Sequence, residues 1–236
     1  MNKYTRANNF DRRCGRLQLE KTIELSVGNS ILDIGCGIGE FTRLIPDTFS
    51  RIVGLDPSVE FIKEAEKLSW RRSDTDIEWV VGWGETFELN EKFDTITMTN
   101  LLEHVDNPIE LLTNCKKHLA RGGRIIAQVP NAESITRRLG VLMGIIDGLD
   151  NITEKEKNFF GHKRVYFLPD LESDARVAGL KLVESGGLIY KPLPNEFLEE
   201  LCQQNGEEWA AGFIKALAEF GKDRPRECAY LYICTE

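Results

Sequence analysis

The residues with most chemical potential sit in one short run, Asp33-Ile34-Gly35-Cys36-Gly37-Ile38-Gly39. Glycine at alternate positions permits left-handed backbone angles and lets a ligand lie against bare main chain. A dinucleotide-binding loop would read G-x-G-x-x-G, with a pyrophosphate on the following helix terminus. Here the third glycine arrives one residue early and Glu40 takes its place, so Asp33 and Glu40 flank the turn. Two carboxylates oppose a pyrophosphate and suit a ligand that carries positive charge. Asp56, 17 residues after Gly39, falls where a carboxylate accepts hydrogen bonds from both hydroxyls of a ribose.

The chain has three histidines, and histidine is the side chain whose ordinary pKa suits proton transfer near neutrality. His118 lies three residues after Cys115 on an expected helix and reads as partly buried. His162 lies between an insertion and the next helix, where a substrate pocket is expected. It is the first candidate for a base, and His104, after the fourth strand, is the second. Lys163, Arg164 and Tyr166 are candidate substrate contacts. The two cations would hold a carboxylate or phosphate, although exposed basic residues are commonly just solvated. Six cysteines without a C-x-x-C pair or a cysteine–histidine cluster read as free thiols, not as a disulfide framework or a zinc site. No metal is expected.

Positioning these groups requires strands that end beside one another. Ser30 to Ile34 reads as a buried strand, with a helix from about Glu40, a strand from Arg51 to Leu55 and a helix after Pro57. Ile77 to Val81, Phe93 to Met98 and Arg124 to Val129 continue the strand series. Between the last two, Asn107 can cap a helix with Pro108 in its first turn and Glu110 at capping-box spacing. Leu111, Leu112, Cys115 and Leu119 line one face, and Gly122-Gly123 is expected to stop it. Residues 131–166 break the rhythm as a lid-like helical insertion, with Ile135, Leu139, Leu142, Met143 and Ile146 at apolar positions. A helix from Pro169 to Ala178, a strand opening at Leu180 to Val183, a helix marked by Trp209, Phe213, Leu217 and Phe220, and a strand from Ala229 to Cys234 follow. Phe10, Cys14 and Leu17 mark a leading helix. The pattern is an α/β, Rossmann-like, doubly wound and mostly parallel seven-stranded sheet within one domain, 1–236.

With these elements in place, the chain resembles the class I S-adenosylmethionine (SAM)-dependent methyltransferases. Ile31 to Gly39 matches their first motif and Asp56 their ribose acid. Phe93-Asp94-Thr95-Ile96 with Asn100-Leu101-Leu102-Glu103-His104-Val105, and Leu119-Ala120-Arg121-Gly122-Gly123, resemble motifs of the small-molecule branch. The resemblance implies SAM as cofactor and S-adenosylhomocysteine as product. It implies contacts from Asp33, Gly35, Cys36, Gly37, Gly39, Asp56, Pro57, Ser58, Trp83, Gly84, Glu85, Asn100 and Leu101. One position departs from the pattern: where the family places an acid on the adenine amino group, Trp83 stands here. Trp83 either packs on the purine or covers the sheet edge, with Glu85 or backbone supplying the polar contact.

The chain lacks an Asn-Pro-Pro-Tyr-like segment and a Pro-Cys pair, which sets aside amino methylation of adenine or glutamine and C5 methylation of cytosine. Gly161 to Tyr166, Ala178-Gly179-Leu180 and Lys191-Pro192-Leu193 resemble bacterial enzymes acting on sugars, lipid-linked precursors and quinone-type intermediates. The expectation is methyl transfer to an oxygen or nitrogen of a small molecule. A quinone-precursor O-methyltransferase at the membrane surface is the nearest alternative, and a SAM-binding regulatory module the alternative of another class. A net charge of -8 disfavours nucleic acid as a partner. No stretch reaches the ~20 apolar residues of a membrane span, and the amino terminus lacks a signal-peptide pattern. A cytoplasmic protein is expected. Arg137 and Arg138 within the apolar 135–146 stretch are compatible with peripheral membrane contact, with packing over the site or between subunits as the alternatives.

Overall fold

Apolar runs long enough to be buried on both faces build the parallel core of the sheet. A computed structural model describes residues 9–67 and 77–236. Its strands are β1 (Ser30–Ile34), β2 (Arg51–Asp56), β3 (Ile77–Val81), β4 (Phe93–Thr99), β5 (Leu119–Pro130), β6 (Leu182–Tyr190) and β7 (Cys228–Thr235). They form one seven-stranded sheet in the order β3-β2-β1-β4-β5-β7-β6. β7 runs antiparallel to both its neighbours, and the β1–β2, β1–β4, β2–β3 and β4–β5 pairings are parallel. The expected Rossmann-like sheet is therefore present. The order reverses between β1 and β4, which opens a crevice at their carboxyl ends.

The helices are α1 (Asn9–Leu25), α2 (Val59–Lys67), α3 (Pro108–Lys117), α4 (Ile135–Leu142), α5 (Leu168–Val177), α6 (Asn195–Asn205) and α7 (Glu207–Gly221). Alternate residues of each strand feed opposite faces. Leu32, Val53, Ile96 and Ile125 pack with Leu111, Leu112 and Cys115 of α3 and with Leu171 and Ala175 of α5. On the other face, Ile31 and Ile52 pack with Leu19 of α1. Phe10 and Cys14 of α1 join Leu198 and Cys202 of α6 and Ile214 of α7 in a second cluster. All six cysteines are buried free thiols.

Three expectations need correction. The helix awaited near Glu40 is only a 3-10 turn, Thr42–Leu44, because Pro46 drives Ile45 to extended angles (φ -60°, ψ 129°). Helix α3 begins as expected, with the Asn107 side chain accepting from the Glu110 N–H, but it ends at Lys117. The glycine pair lies inside β5: Gly122 has φ +76°, and a Cβ on Gly123 would come within 2.9 Å of the Asp94 carbonyl oxygen. These glycines admit an irregular strand start beside β4. Helix α7 is present where Trp209, Phe213, Leu217 and Phe220 mark it; its buried positions are Ala210, Ile214, Leu217 and Gly221, whereas Trp209 and Phe220 are exposed. Trp209 instead stacks on Phe213. Helix α6 has no counterpart among the sequence expectations.

The insertion contains α4 and a π-helical turn, Glu156–Phe160, closed by Gly161 at φ +80°. Leu142 at the end of α4 and Met143 and Ile145 just beyond it are exposed. Arg137 bonds to Glu156 and to the Leu149 and Asn151 carbonyls, and Arg138 to Glu133. No helix among the described residues is long and apolar enough to cross a membrane.

Candidate active site

The turn after β1 is a backbone cradle. Gly35, Gly37 and Gly39 have φ of +74°, +56° and +77°. Gly35 and Cys36 donate to the Leu55 carbonyl at 2.7 and 3.1 Å, and Gly37 donates to Asp56 Oδ2 at 2.9 Å. A Cβ on Gly37 would meet nothing within 4 Å, whereas one on Gly39 would lie 2.3 Å from the Trp79 ring. The face of the loop at Gly37 is thus open, and Gly39 is closed against the protein.

Asp33 and Asp56 are both buried. Burial pushes the Asp33 carboxyl up to about 7, against the hydrogen bond it accepts from Thr42 Oγ1 at 2.5 Å and with added repulsion from Asp56. A neighbouring cation would favour its ionised form. Asp56 Oδ1 accepts from the Ser58 N–H at 2.9 Å. With Gly37 on the other oxygen, two of its roughly four acceptor sites are used and the rest remain for a ligand.

An open cleft of about 550 Å³ adjoins this turn. Its walls include Gly35, Pro57, Trp83, Gly84, Glu85 and Leu101 from the expected cofactor set, together with His104 and Lys163. Trp83 is 66% exposed and is not a core residue. An aromatic ring this bare on a cleft wall offers a face for a flat heterocycle. Asn100, at φ +53°, exchanges side-chain amide contacts with Gln18 of α1 at 3.3 and 3.5 Å.

The remaining candidates separate. His104 Nδ1 lies 3.2 Å from the Gly161 carbonyl oxygen, and its ring meets His162 edge-on with centroids 4.9 Å apart. Burial and the neighbouring His104 depress His162 to about 4, so it is neutral at pH 7. Lys163 pairs with Asp106 at 2.6 Å at the cleft rim. Arg164 is spent on the Val105 and Asp106 carbonyls, and Tyr166 is buried with its hydroxyl on Asp174; neither lines the cleft. His118 is the carboxyl cap of α3, its ring tilted against Phe87 with centroids 4.3 Å apart and accepting from the Leu89 N–H.

Sequence reasoning passed over Gln18 and Glu103. Gln18 was signalled by its place one helical turn after Cys14 on the buried side of α1. Glu103 is 1% exposed and held up to about 8 by burial. Its signal was a carboxylate set directly behind two leucines.

A glycine cradle at a switch point, a ribose-type acid on the next strand and a cleft walled by an aromatic ring define a SAM-binding fold of the class I type. The chain belongs to the methyltransferase domain family (Methyltransf_23), whose profile matches residues 7–185. It is 26% identical over 183 residues to the ubiquinone biosynthesis O-methyltransferase of Xanthomonas euvesicatoria pv. vesicatoria (strain 85-10), covering 76% of this chain and 74% of that one. Among solved structures, a SAM-dependent methyltransferase from Mesorhizobium loti aligns with a TM-score of 0.64 at 16% identity, over 96% of this chain and 99% of the other. The plantazolicin methyltransferase BpumL, in complex with a triazolic desmethylPZN analog and SAH, aligns at 0.62 and 21% identity, over 96% and 87%. The protein is a SAM-dependent methyltransferase.

Proposed function

We propose that the acceptor is a hydroxyl oxygen of a small molecule seated on the His104 and Lys163 side of the cleft. The observation that carries this is the cluster of Glu103, His104 and His162, which reaches that cleft through His104. Methylating a hydroxyl requires removal of a proton, and an amine free base does not need such a group. Similarity to O-methyltransferases of ubiquinone biosynthesis supports the same acceptor atom.

Bound SAM supplies an electrophilic methyl group on a sulfonium. Asp56 would hold the ribose, Asp33 would favour positive charge on the amino-acid end, and Trp83 would offer a face to the adenine. The fit rests on the open space at Gly37 and the unused acceptor capacity of Asp56. Transfer is an in-line displacement, so the walls of the cleft contribute mainly alignment, while the cluster favours loss of the acceptor proton.

The test is transfer of labelled methyl from SAM to a panel of phenols, sugars and amines of matched size. Phenol or sugar hydroxyls should become labelled, with the product stable as an ether. Labelling confined to amines would overturn the oxygen assignment.

A further inference from the structure

Glu103, His104 and His162 each offer one ligand-capable atom, and these atoms all lie within 4.8 Å of one another. Both Glu103 carboxylate oxygens are buried without a hydrogen-bond partner. A carboxylate taken from water with nothing to bind it is costly, and buried charges are ordinarily paired or coordinate a metal.

The imidazoles are arranged accordingly. The Gly161 carbonyl can only accept, so His104 Nδ1, 3.2 Å from it, carries the hydrogen and Nε2 carries the lone pair. That is how a ligating histidine is oriented, with its outer nitrogen on a backbone carbonyl. Nε2 lies 3.8 Å from Glu103 Oε1, a span that two ligands of one ion bridge with bonds of about 2.1 Å. His162 follows Gly161, whose left-handed turn at φ +80° closes the π-helical segment, and its own N–H is held by the Glu156 carbonyl at 2.9 Å. π-helical turns occur frequently at functional sites.

We propose that Glu103, His104 and His162 bind one divalent transition metal of the zinc type, leaving a coordination position open toward the cleft. Two imidazoles and one carboxylate favour Zn²⁺ or Co²⁺ over the all-oxygen preference of Mg²⁺ and Ca²⁺. Because His104 lines the cleft, an acceptor hydroxyl can reach the open position. Its oxygen would then bind the metal, its proton would leave to water, and the oxygen lone pair would form the new C–O bond as the S–C bond breaks. This role rests on the oxygen-acceptor reading, whereas metal binding stands apart from it.

The site is tested without any acceptor. Protein stripped with chelator and dialysed is titrated with Co²⁺, followed by visible absorption, and with Zn²⁺, followed by metal content after gel filtration. Stoichiometric binding, with a Co²⁺ band that Zn²⁺ abolishes, is expected. His162→Ala and Glu103→Gln should weaken affinity by at least the about 10–100-fold that loss of an outer-shell partner alone costs. Glu103→Gln keeps the shape of a buried side chain that has no hydrogen-bond partner to lose, so it keeps the protein folded, as cooperative thermal unfolding verifies. Wild-type protein that retains no metal, or variants that bind Co²⁺ as tightly as wild type, would overturn the proposal. Labelling of amines alone in the acceptor panel, with stoichiometric metal still bound, would remove the oxygen reading and leave the metal site standing.

Discussion

Gly37 and Asp56 are joined by a hydrogen bond of 2.9 Å from the Gly37 N–H to Oδ2, which makes the loop after β1 and the acid at the end of β2 one unit. Asp56→Ala removes both a ribose acceptor and the anchor of the loop. A hydrogen bond to a charged group contributes about 1.5–3 kcal/mol, so SAM affinity should fall at least about tenfold. Calorimetry on a folded mutant that shows unchanged affinity would take Asp56 out of the site.

Gly37 and Gly39 share a left-handed backbone but face different surroundings, and alanine at each should separate binding from stability. Gly37→Ala has open space ahead of its Cβ. It should lose roughly 1–2 kcal/mol of stability to backbone strain and bind cofactor poorly. Gly39→Ala drives its Cβ into Trp79 and should be clearly the less stable of the two. Equal melting temperatures for the two mutants would count against this division.

Asp33 gives a pH dependence whose sign is fixed. Its folded value of about 7 lies above the ordinary 3.8. Between those values the native state holds a proton that the unfolded chain releases, so without cofactor this group's stabilising contribution is full below about 3.8 and is lost as pH rises through about 7. Asp33→Asn should remove that slope and be more stable than wild type at pH 7, while binding SAM more weakly. Melting curves across pH with and without cofactor measure both effects; a mutant less stable than wild type at neutral pH would refute the account.

Trp83→Ala should leave the melting temperature nearly unchanged, since the residue is 66% exposed. Stacking of a base on an aromatic side chain is worth about 1–3 kcal/mol, and SAH affinity should fall correspondingly. A mutant with lower stability and normal affinity would return Trp83 to a structural role.

His162→Gln should reduce turnover by about 10²–10⁴-fold, the range for loss of assisted proton transfer, with SAM affinity close to wild type because His162 lies outside the Gly37–Asp56 unit. Single-turnover rates beside calorimetry check this. Parallel loss of SAM affinity would show that His162 acts through the cofactor site instead.

The sheet was legible because its strands are apolar runs separated by turn residues, and the nucleotide end of the site because glycine spacing and Asp56 are local signals. The wall built by the insertion was not. Tyr166 and Arg164 share a short segment with His162, yet only tertiary contacts decide that Tyr166 turns to Asp174 and Arg164 to the Val105 carbonyl. The missing helix after Gly39 was readable from Pro46, whose effect on Ile45 outweighs helical spacing. The place of Glu103 behind Leu101 and Leu102 signals a buried carboxylate, but only the tertiary structure shows that burial leaves it without hydrogen-bond partners.

The position of β7 between β5 and β6 governs the order in which this protein can be assembled on the ribosome. Among the described residues β6 pairs with β7 and with no other strand of the sheet, yet α6 and α7 are synthesised between them. During translation β6 must wait as an unpaired edge, open to β6 of another nascent chain. Strands β1 to β5 can meanwhile form their parallel ladder. The cofactor cradle can therefore take shape while the far third of the sheet is still unmade, and crowded expression would favour aggregation through Leu182–Tyr190 over loss of the cradle.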